Sequence, residues 1–204
     1  MELIKFLEDV SKDTPTPGGG SVIALVGALS ASLISMVAGV SMRRSQIKEE
    51  KLKKIIRESK YIQKRLYLAI DEDAKSFDAV IEAYRLSKES KEELMRRNKA
   101  IEKAYKNATL IPRLVCEKSI KLMEFSKILI NGGNQNAISD VGVAALLADS
   151  AFKGGLLNIN VNLRSIKEKN FLRKMKFLLK QSEKKRDMLM NEIIRSLWKI
   201  KTLK

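Results

Sequence analysis

Leu3, Ile4, Leu7 and Val10 recur at helical spacing and predict a short first helix. The run Pro15-Thr16-Pro17-Gly18-Gly19-Gly20 breaks it, because proline and glycine punctuate helices. From Gly18 to Met42 no residue is charged, a length that raises a membrane-spanning reading. That segment has no aromatic residue at either edge and holds five serines and five glycines, so a buried central helix is the better reading. Within it Gly27, Ala31, Ser35 and Gly39 recur every four residues. Small residues at that spacing let helices approach closely, so this seam is expected to meet another helix, its mate in a homodimer included.

From Ile47 to Leu86 one long amphipathic pattern follows, with Leu66, Ile70, Phe77, Val80 and Tyr84 on a single stripe. Ser90 with Glu93 reads as a capping box opening the next helix, which is expected to kink or break at Pro112. Asn131-Gly132-Gly133 should stop the stretch after Ile130 through a left-handed cap. A second charge-poor segment, Asn134 to Leu163, contains only Asp140, Asp149 and Lys153 as charges. Arg164 to Lys204 is a basic amphipathic helix carrying Phe171, Met175, Leu178, Leu189, Ile193 and Leu197. The expectation is one all-α domain over residues 1–204, bundle-like, with two central helices of small residues and long amphipathic helices around them.

Composition narrows the chemistry. The 204 residues include 40 Lys+Arg against 24 Asp+Glu, a net charge of +16. Of this, +10 lies in Arg164–Lys204, with 14 Lys+Arg and 4 Asp+Glu. Histidine is absent, which excludes serine–histidine and cysteine–histidine catalysis and histidine-ligated metal. The single cysteine, Cys116, excludes a disulfide framework or a cysteine-rich zinc site. With no signal-peptide pattern at the start, a cytoplasmic location is expected.

Three features invite a chemical reading. Asp73 sits on the apolar stripe, seven residues from both Leu66 and Val80, whereas Asp71 lies on the polar side. A carboxylate there is costly unless it has a partner or a task. The plainer reading is that it pairs with a Lys or Arg or lies at the stripe's edge. Asp140, Ala144, Leu147, Ala151, Gly155, Asn158 and Asn162 share one helical face, which suits a ligand or a second backbone. Equally, Ser139 or Asp140 could only cap the helix while the asparagines face solvent. The glycine run before a small-residue helix exposes backbone N–H groups able to hold an anion or a polar ring, or it is only a tight turn.

The order of these features resembles the cyclodeaminase domain of formiminotransferase-cyclodeaminase and the related methenyltetrahydrofolate cyclohydrolases. The residues that carry the resemblance begin with Pro15-Thr16-Pro17-Gly18-Gly19-Gly20-Ser21, Ser35-Met36-Val37 and Arg43-Arg44. Asp71-Glu72-Asp73-Ala74 with Phe77, Gly133-Asn134 with Ser139-Asp140, and Asn158 with Asn162-Leu163 follow in order. It runs from about Leu3 to Ile166. Met42, Ser87 and Ser165 depart from the Gly, Pro and Asp expected there.

The resemblance implies a helical, dimeric subunit acting on a folate, with no metal and no cofactor beyond tetrahydrofolate. Cyclodeaminase chemistry joins N10 to the formimino carbon and releases ammonia; cyclohydrolase chemistry adds water at the methenyl bridge. Both move protons at a tetrahedral intermediate, which suits a carboxylate. Asp73 is the first candidate and Asp140 the second. Asn134, Asn158 and Asn162 are expected to bond the pterin, with Asp140 as a further acceptor, and Gly18, Gly19, Gly20, Ser21 and Ser139 are expected among the substrate-binding residues. Arg43 and Arg44 are expected on the glutamate carboxylates, polyglutamate tails included, although an arginine pair beside a helix end also reads as a solvated cap. The competing classes are a folate-binding member without activity and a binding protein that lays its basic terminal helix on nucleic acid or an anionic membrane. Neither nucleic acid nor membrane is the expected partner.

Overall fold

A computed structural model describes residues 2–201, so Met1 and the end of the last predicted helix lie outside the described residues. Six helices follow one another: α1 (Leu3–Val10), α2 (Gly19–Ser41), α3 (Glu49–Arg85), α4 (Lys91–Gly132), α5 (Ile138–Leu163) and α6 (Lys169–Lys201). No strand occurs among the described residues. The all-α architecture expected from the sequence is therefore observed.

α2 and α5 form the centre, side by side and antiparallel. The Ser30 hydroxyl donates to the Ala144 carbonyl at 2.7 Å, and the Asn134 N–H donates to Ser41 Oγ at 2.9 Å. Close approach depends on missing side chains. A Cβ at Gly154 would lie 2.5 Å from Ile23 Cγ2, so only glycine admits α2 there. Gly27 and Ala31 are buried, and a Cβ on Gly27 would lie 2.8 Å from Leu66 Cδ1 of α3 and 3.8 Å from Ala151 of α5, as the small-residue seam predicts. The seam does not continue: Gly39 is exposed, and a Cβ there would meet nothing within 4 Å. Four-residue steps drift around a 3.6-residue helix, so a long run of them leaves the buried face.

α3 covers one side of this pair. Glu49 and Glu50 complement its amino-terminal dipole. Leu52, Ile55, Ile62, Leu66, Ile70 and Val80 are buried, whereas Phe77 and Tyr84 are 36% and 44% exposed. The capping box of α4 forms as expected, with Ser90 Oγ accepting from the Glu93 N–H. Pro112 does not break α4, which runs for 42 residues through it. Tertiary packing outweighs the local defect, since Pro112 itself is buried in the helix. Gly133 ends α4 at φ −78°, not in the left-handed region. Its need for glycine is steric: a Cβ would lie 2.5 Å from the Leu129 carbonyl oxygen. Met42 takes an ordinary helical conformation, so the glycine expected there is not needed.

The apolar stripe of α6 enters the core through Met175, Leu179, Leu189 and Ile193. Asp149 of α5, 7% exposed, anchors that helix by accepting from both Arg186 Nε and Arg186 Nη2. α2 is long and apolar enough to cross a membrane, yet half of its most apolar window is buried inside the protein. Its other half forms, with the outer side of α5, an exposed apolar face containing Leu29, Met36, Leu146, Leu157 and Val161.

Candidate active site

Gly20 is buried where α2 starts against the middle of α3, and the side chain of Asp73 occupies the space its own would need. The Ser21 hydroxyl reaches two acceptors, the Ile70 carbonyl at 2.9 Å and Asp73 Oδ2 at 3.2 Å. A hydroxyl has one proton, so it cannot serve both fully. A protonated Asp73 resolves the conflict by donating to Ser21 Oγ while Ser21 donates to Ile70. Burial pushes the Asp73 carboxyl above its ordinary value, and hydrogen bonds from the Ser21 side chain and backbone pull against that rise. The net shift is upward, which favours the protonated form more than at an exposed aspartate and is the direction a proton shuttle needs.

This carboxyl opens on a pocket of about 210 Å³. Gly18, Gly19 and Gly20 form one wall, Asn158 and Asn162 another, and Phe77 a third. Ser21 stands behind Asp73. The glycine loop, the stripe aspartate and two residues of the expected Asp140–Asn158–Asn162 face meet here. Asp71 is exposed, on the polar side as expected.

Asp140 is not in this pocket. It shares a helical face with Asn158, but eighteen residues of rise separate them by about 27 Å. The repeat gave the correct side of α5 and said nothing of height along it. Arg43, Arg44, Asn134 and Ser139 gather with Asp140 at the far end of the α2–α5 pair, where Asn134 also donates to the Val40 carbonyl at 3.3 Å. The expected site residues thus form two clusters, one at each end of α2.

Wall residues that the sequence did not point to include Ser76 of α3, Val161 of α5, and Ala108 and Pro112 of α4. Proline carries no N–H, so the Ala108 carbonyl lacks the partner that residue 112 would supply in an α-helix. The signal was present, but the proline read only as a break. A larger groove of about 650 Å³ lies between α3, α4 and α6. It offers poorer chemistry. Glu58 and Glu124 face Lys121, Glu124 also meets Lys185 at 2.5 Å, and burial pushes the Cys116 thiol up to about 12. Among the described residues no three acidic or cysteine side chains cluster as a metal site.

Comparison with known proteins matches residues 2–181 to the formiminotransferase-cyclodeaminase family. A methenyltetrahydrofolate cyclohydrolase of Methylorubrum extorquens is 34% identical over 168 residues, 81% of each chain. Formimidoyltransferase-cyclodeaminase of Mus musculus is 31% identical over 171 residues, which are 83% of this chain but 32% of that longer protein. The crystal structure of formiminotetrahydrofolate cyclodeaminase from Thermotoga maritima superposes with a TM-score of 0.88 at 26% identity, covering 98% of this chain and 97% of that one.

Proposed function

The chain belongs to the formiminotransferase-cyclodeaminase family, and on that premise we propose a folate one-carbon enzyme acting between N5 and N10 of tetrahydrofolate. It works as a formiminotetrahydrofolate cyclodeaminase or as a methenyltetrahydrofolate cyclohydrolase. The observation that carries this reading is Asp73, part-buried, raised in pKa and facing a pocket walled by glycines and asparagines.

In the cyclodeaminase direction N10 attacks the formimino carbon. Asp73 takes the proton released from N10 and returns it to the departing nitrogen, which leaves as ammonia. In the cyclohydrolase direction the same carboxylate takes a proton from the attacking water and returns it to the nitrogen whose bond to the bridge carbon breaks, while the remaining hydroxyl proton leaves to solvent as the formyl C=O forms. In both, the ionised form also stabilises the cationic carbon. Asn158, Asn162 and the Ala108 carbonyl offer neutral partners to the pterin, so recognition does not compete with Asp73 for charge. No metal or further cofactor enters these steps.

We also propose a homodimer formed through the exposed face of α2 and α5, and a preference for polyglutamated substrate. The net charge of +16 supports the second point, because added carboxylates enter a positive field that salt screens. The single, buried cysteine suits a reducing cytoplasm. Against the rival reading, a basic terminal helix applied to membrane or nucleic acid, Met175, Leu179, Leu189, Met190 and Ile193 of that helix are spent on the protein's own core.

Turnover of 5-formiminotetrahydrofolate and of methenyltetrahydrofolate, followed at the methenyl absorbance band, tests the reading. Formation of the band from the first substrate marks a cyclodeaminase. Its loss from the second marks a cyclohydrolase. Turnover of neither overturns the proposal.

A further inference from the structure

α4 borders two cavities. Pro112 belongs to the Asp73 pocket, whereas Arg113 and Cys116 belong to the groove between α3, α4 and α6. The groove's volume of about 650 Å³ falls within the roughly 300–1,000 Å³ usual for small-molecule sites. Its α4 wall runs from Arg113 to Glu124, about 16 Å of helix, so the groove is long. The floor is apolar. Cys116 and Ile120, one turn apart on α4, line it together with Ile62 of α3 and Leu178 and Leu179 of α6. The Ser182 hydroxyl beside them is used within its own helix, donating to the Leu178 carbonyl at 2.9 Å. The folate mechanism uses none of these residues.

The charges on the walls cancel except at one end. Lys118 pairs with Glu117 at 3.0 Å, Lys121 lies between Glu58 and Glu124 at 3.7 and 3.4 Å, and Lys185 meets Glu124 at 2.5 Å. Every wall carboxylate thus has a cation. The Arg113 guanidinium is left over, with no ion pair or hydrogen bond to any described residue. A second guanidinium stands at the same level. Arg65 follows Glu58 by seven residues, two turns, and so shares that residue's side of α3. Arg113 precedes Lys121 by eight residues on the antiparallel α4, so both arginines lie about 10–12 Å beyond the Glu58–Lys121 pair. Arg65 Nη2 donates to Glu72 at 2.8 Å, but its Nη1 is buried with no acceptor among the described residues. Buried donors are normally paired, so this one marks a missing acceptor.

We propose that this groove is a second ligand site, separate from the Asp73 pocket, for an elongated aliphatic carboxylate. The chain of the ligand lies on the apolar floor, and its carboxylate lies at the Arg113 end, where Arg65 Nη1 also gains an acceptor. Arginine suits the task, because its fork of donors matches the two oxygens of a carboxylate. The paired acids along the rest of the rim repel a second negative charge, which limits the ligand to one acidic end. The site goes beyond the folate reading and does not depend on it.

Calorimetric titration with decanoate, kept below the concentration at which it forms micelles, tests the site. The native protein should bind it saturably. Decanol, with the same chain and no charge, should bind roughly tenfold or more weakly, because the charge-assisted bonds are absent. Arg113→Gln should weaken decanoate by a similar factor and leave decanol unchanged. Ser182→Phe, which fills the groove, should abolish decanoate binding. Asn158→Phe, which fills the Asp73 pocket instead, should leave it unchanged. Circular dichroism checks that each variant is folded, and the comparison of decanoate with decanol on the native protein decides the matter if a variant is not. No saturable binding, equal affinity for decanoate and decanol, native affinity in folded Arg113→Gln, or binding lost in Asn158→Phe but kept in Ser182→Phe each overturns the proposal. None of these measurements requires turnover, so their failure leaves the folate reading standing, and failure to turn over a folate leaves this site standing.

Discussion

Gly20 and Asp73 exclude each other's side chains: a Cβ on residue 20 would lie 2.5 Å from Asp73 Oδ2 and nearer still to Oδ1. The carboxyl can occupy its cradle only because residue 20 has no side chain. Gly20→Ala should expel it from the cradle. Turnover is expected to fall about 10²-fold or more, as for loss of a proton-transfer group. The fold should survive with a cost of about 1–3 kcal/mol, the usual range for a forced methyl group. Steady-state kinetics alongside urea unfolding separate the two effects, and native kcat would remove the cradle's role.

Asp73→Asn keeps the shape and removes the titration. Turnover should fall by roughly 10²–10⁴-fold with folate affinity largely retained. Stability should move the other way. Folding raises this carboxyl's pKa, so the folded state binds its proton more tightly than the unfolded chain does. The native protein therefore loses stability as pH rises from the ordinary aspartate value of 3.8 through the raised one. The asparagine variant lacks that loss and should be at least as stable as native at neutral pH. Unfolding curves taken at a series of pH values check the sign. Asp71→Asn, on the exposed side, should change neither quantity.

Ser21→Ala removes the hydroxyl that holds Asp73 Oδ2 at 3.2 Å. Donors to a carboxylate lower its pKa, so the Asp73 value should climb further. Where Asp73 acts as a base, the rising limb of the kcat/KM profile should move to higher pH. A drop in rate with an unmoved limb would assign Ser21 a packing role only.

The amino-acid pattern revealed much of this, for identifiable reasons. Seven-residue spacing put Asp73 on the buried side of α3, and the glycine run marked where another group must come close. Helical repeats report angle, not height, so Asp140 fell into the same set as Asn158 although the length of α5 separates them. Gly39 was misplaced by the same kind of step counting, which ignores drift around the helix. Pro112 was legible as a missing N–H but not as a pocket wall. That depends on α3 and α5 meeting α4 there, a contact between elements distant in sequence.

Away from the pocket, Arg186→Leu should leave the Asp149 carboxylate nearly orphaned between α5 and α6. Orphaning a buried charge typically costs about 3–5 kcal/mol, and Lys153 at 3.1 Å should hold the loss to the lower end. Arg186 and Lys153 keep the Asp149 carboxyl below its ordinary value against the burial that raises it. Its contribution is thus present above the unfolded aspartate pKa of 3.8 and lost as pH falls through the lower folded value. The native protein should show this acid loss and the variant should show less of it. Thermal unfolding at neutral and acid pH measures both, and specific activity per folded molecule should remain native because the pair does not touch the pocket.

Pro112→Ala sets stability against binding. A proline inside a helix costs about 3 kcal/mol or more, through the missing N–H and the clash of its ring with the preceding turn. Alanine restores the N–H, which the Ala108 carbonyl then accepts. The buried ring leaves a small cavity that offsets part of the gain, so a net stabilisation of about 1–2 kcal/mol is expected. The same new bond takes the Ala108 carbonyl away from the pocket, where it is proposed to accept from the pterin. Loss of one neutral hydrogen bond of about 0.5–1.5 kcal/mol should weaken folate binding roughly three- to tenfold. Since Asp73 is untouched, kcat at saturation should stay near native while KM rises. A variant that gains stability and keeps native KM would show that the proline shapes α4 without lending its carbonyl to the substrate. One that loses stability would show that packing of the ring outweighs the strain it brings to the helix.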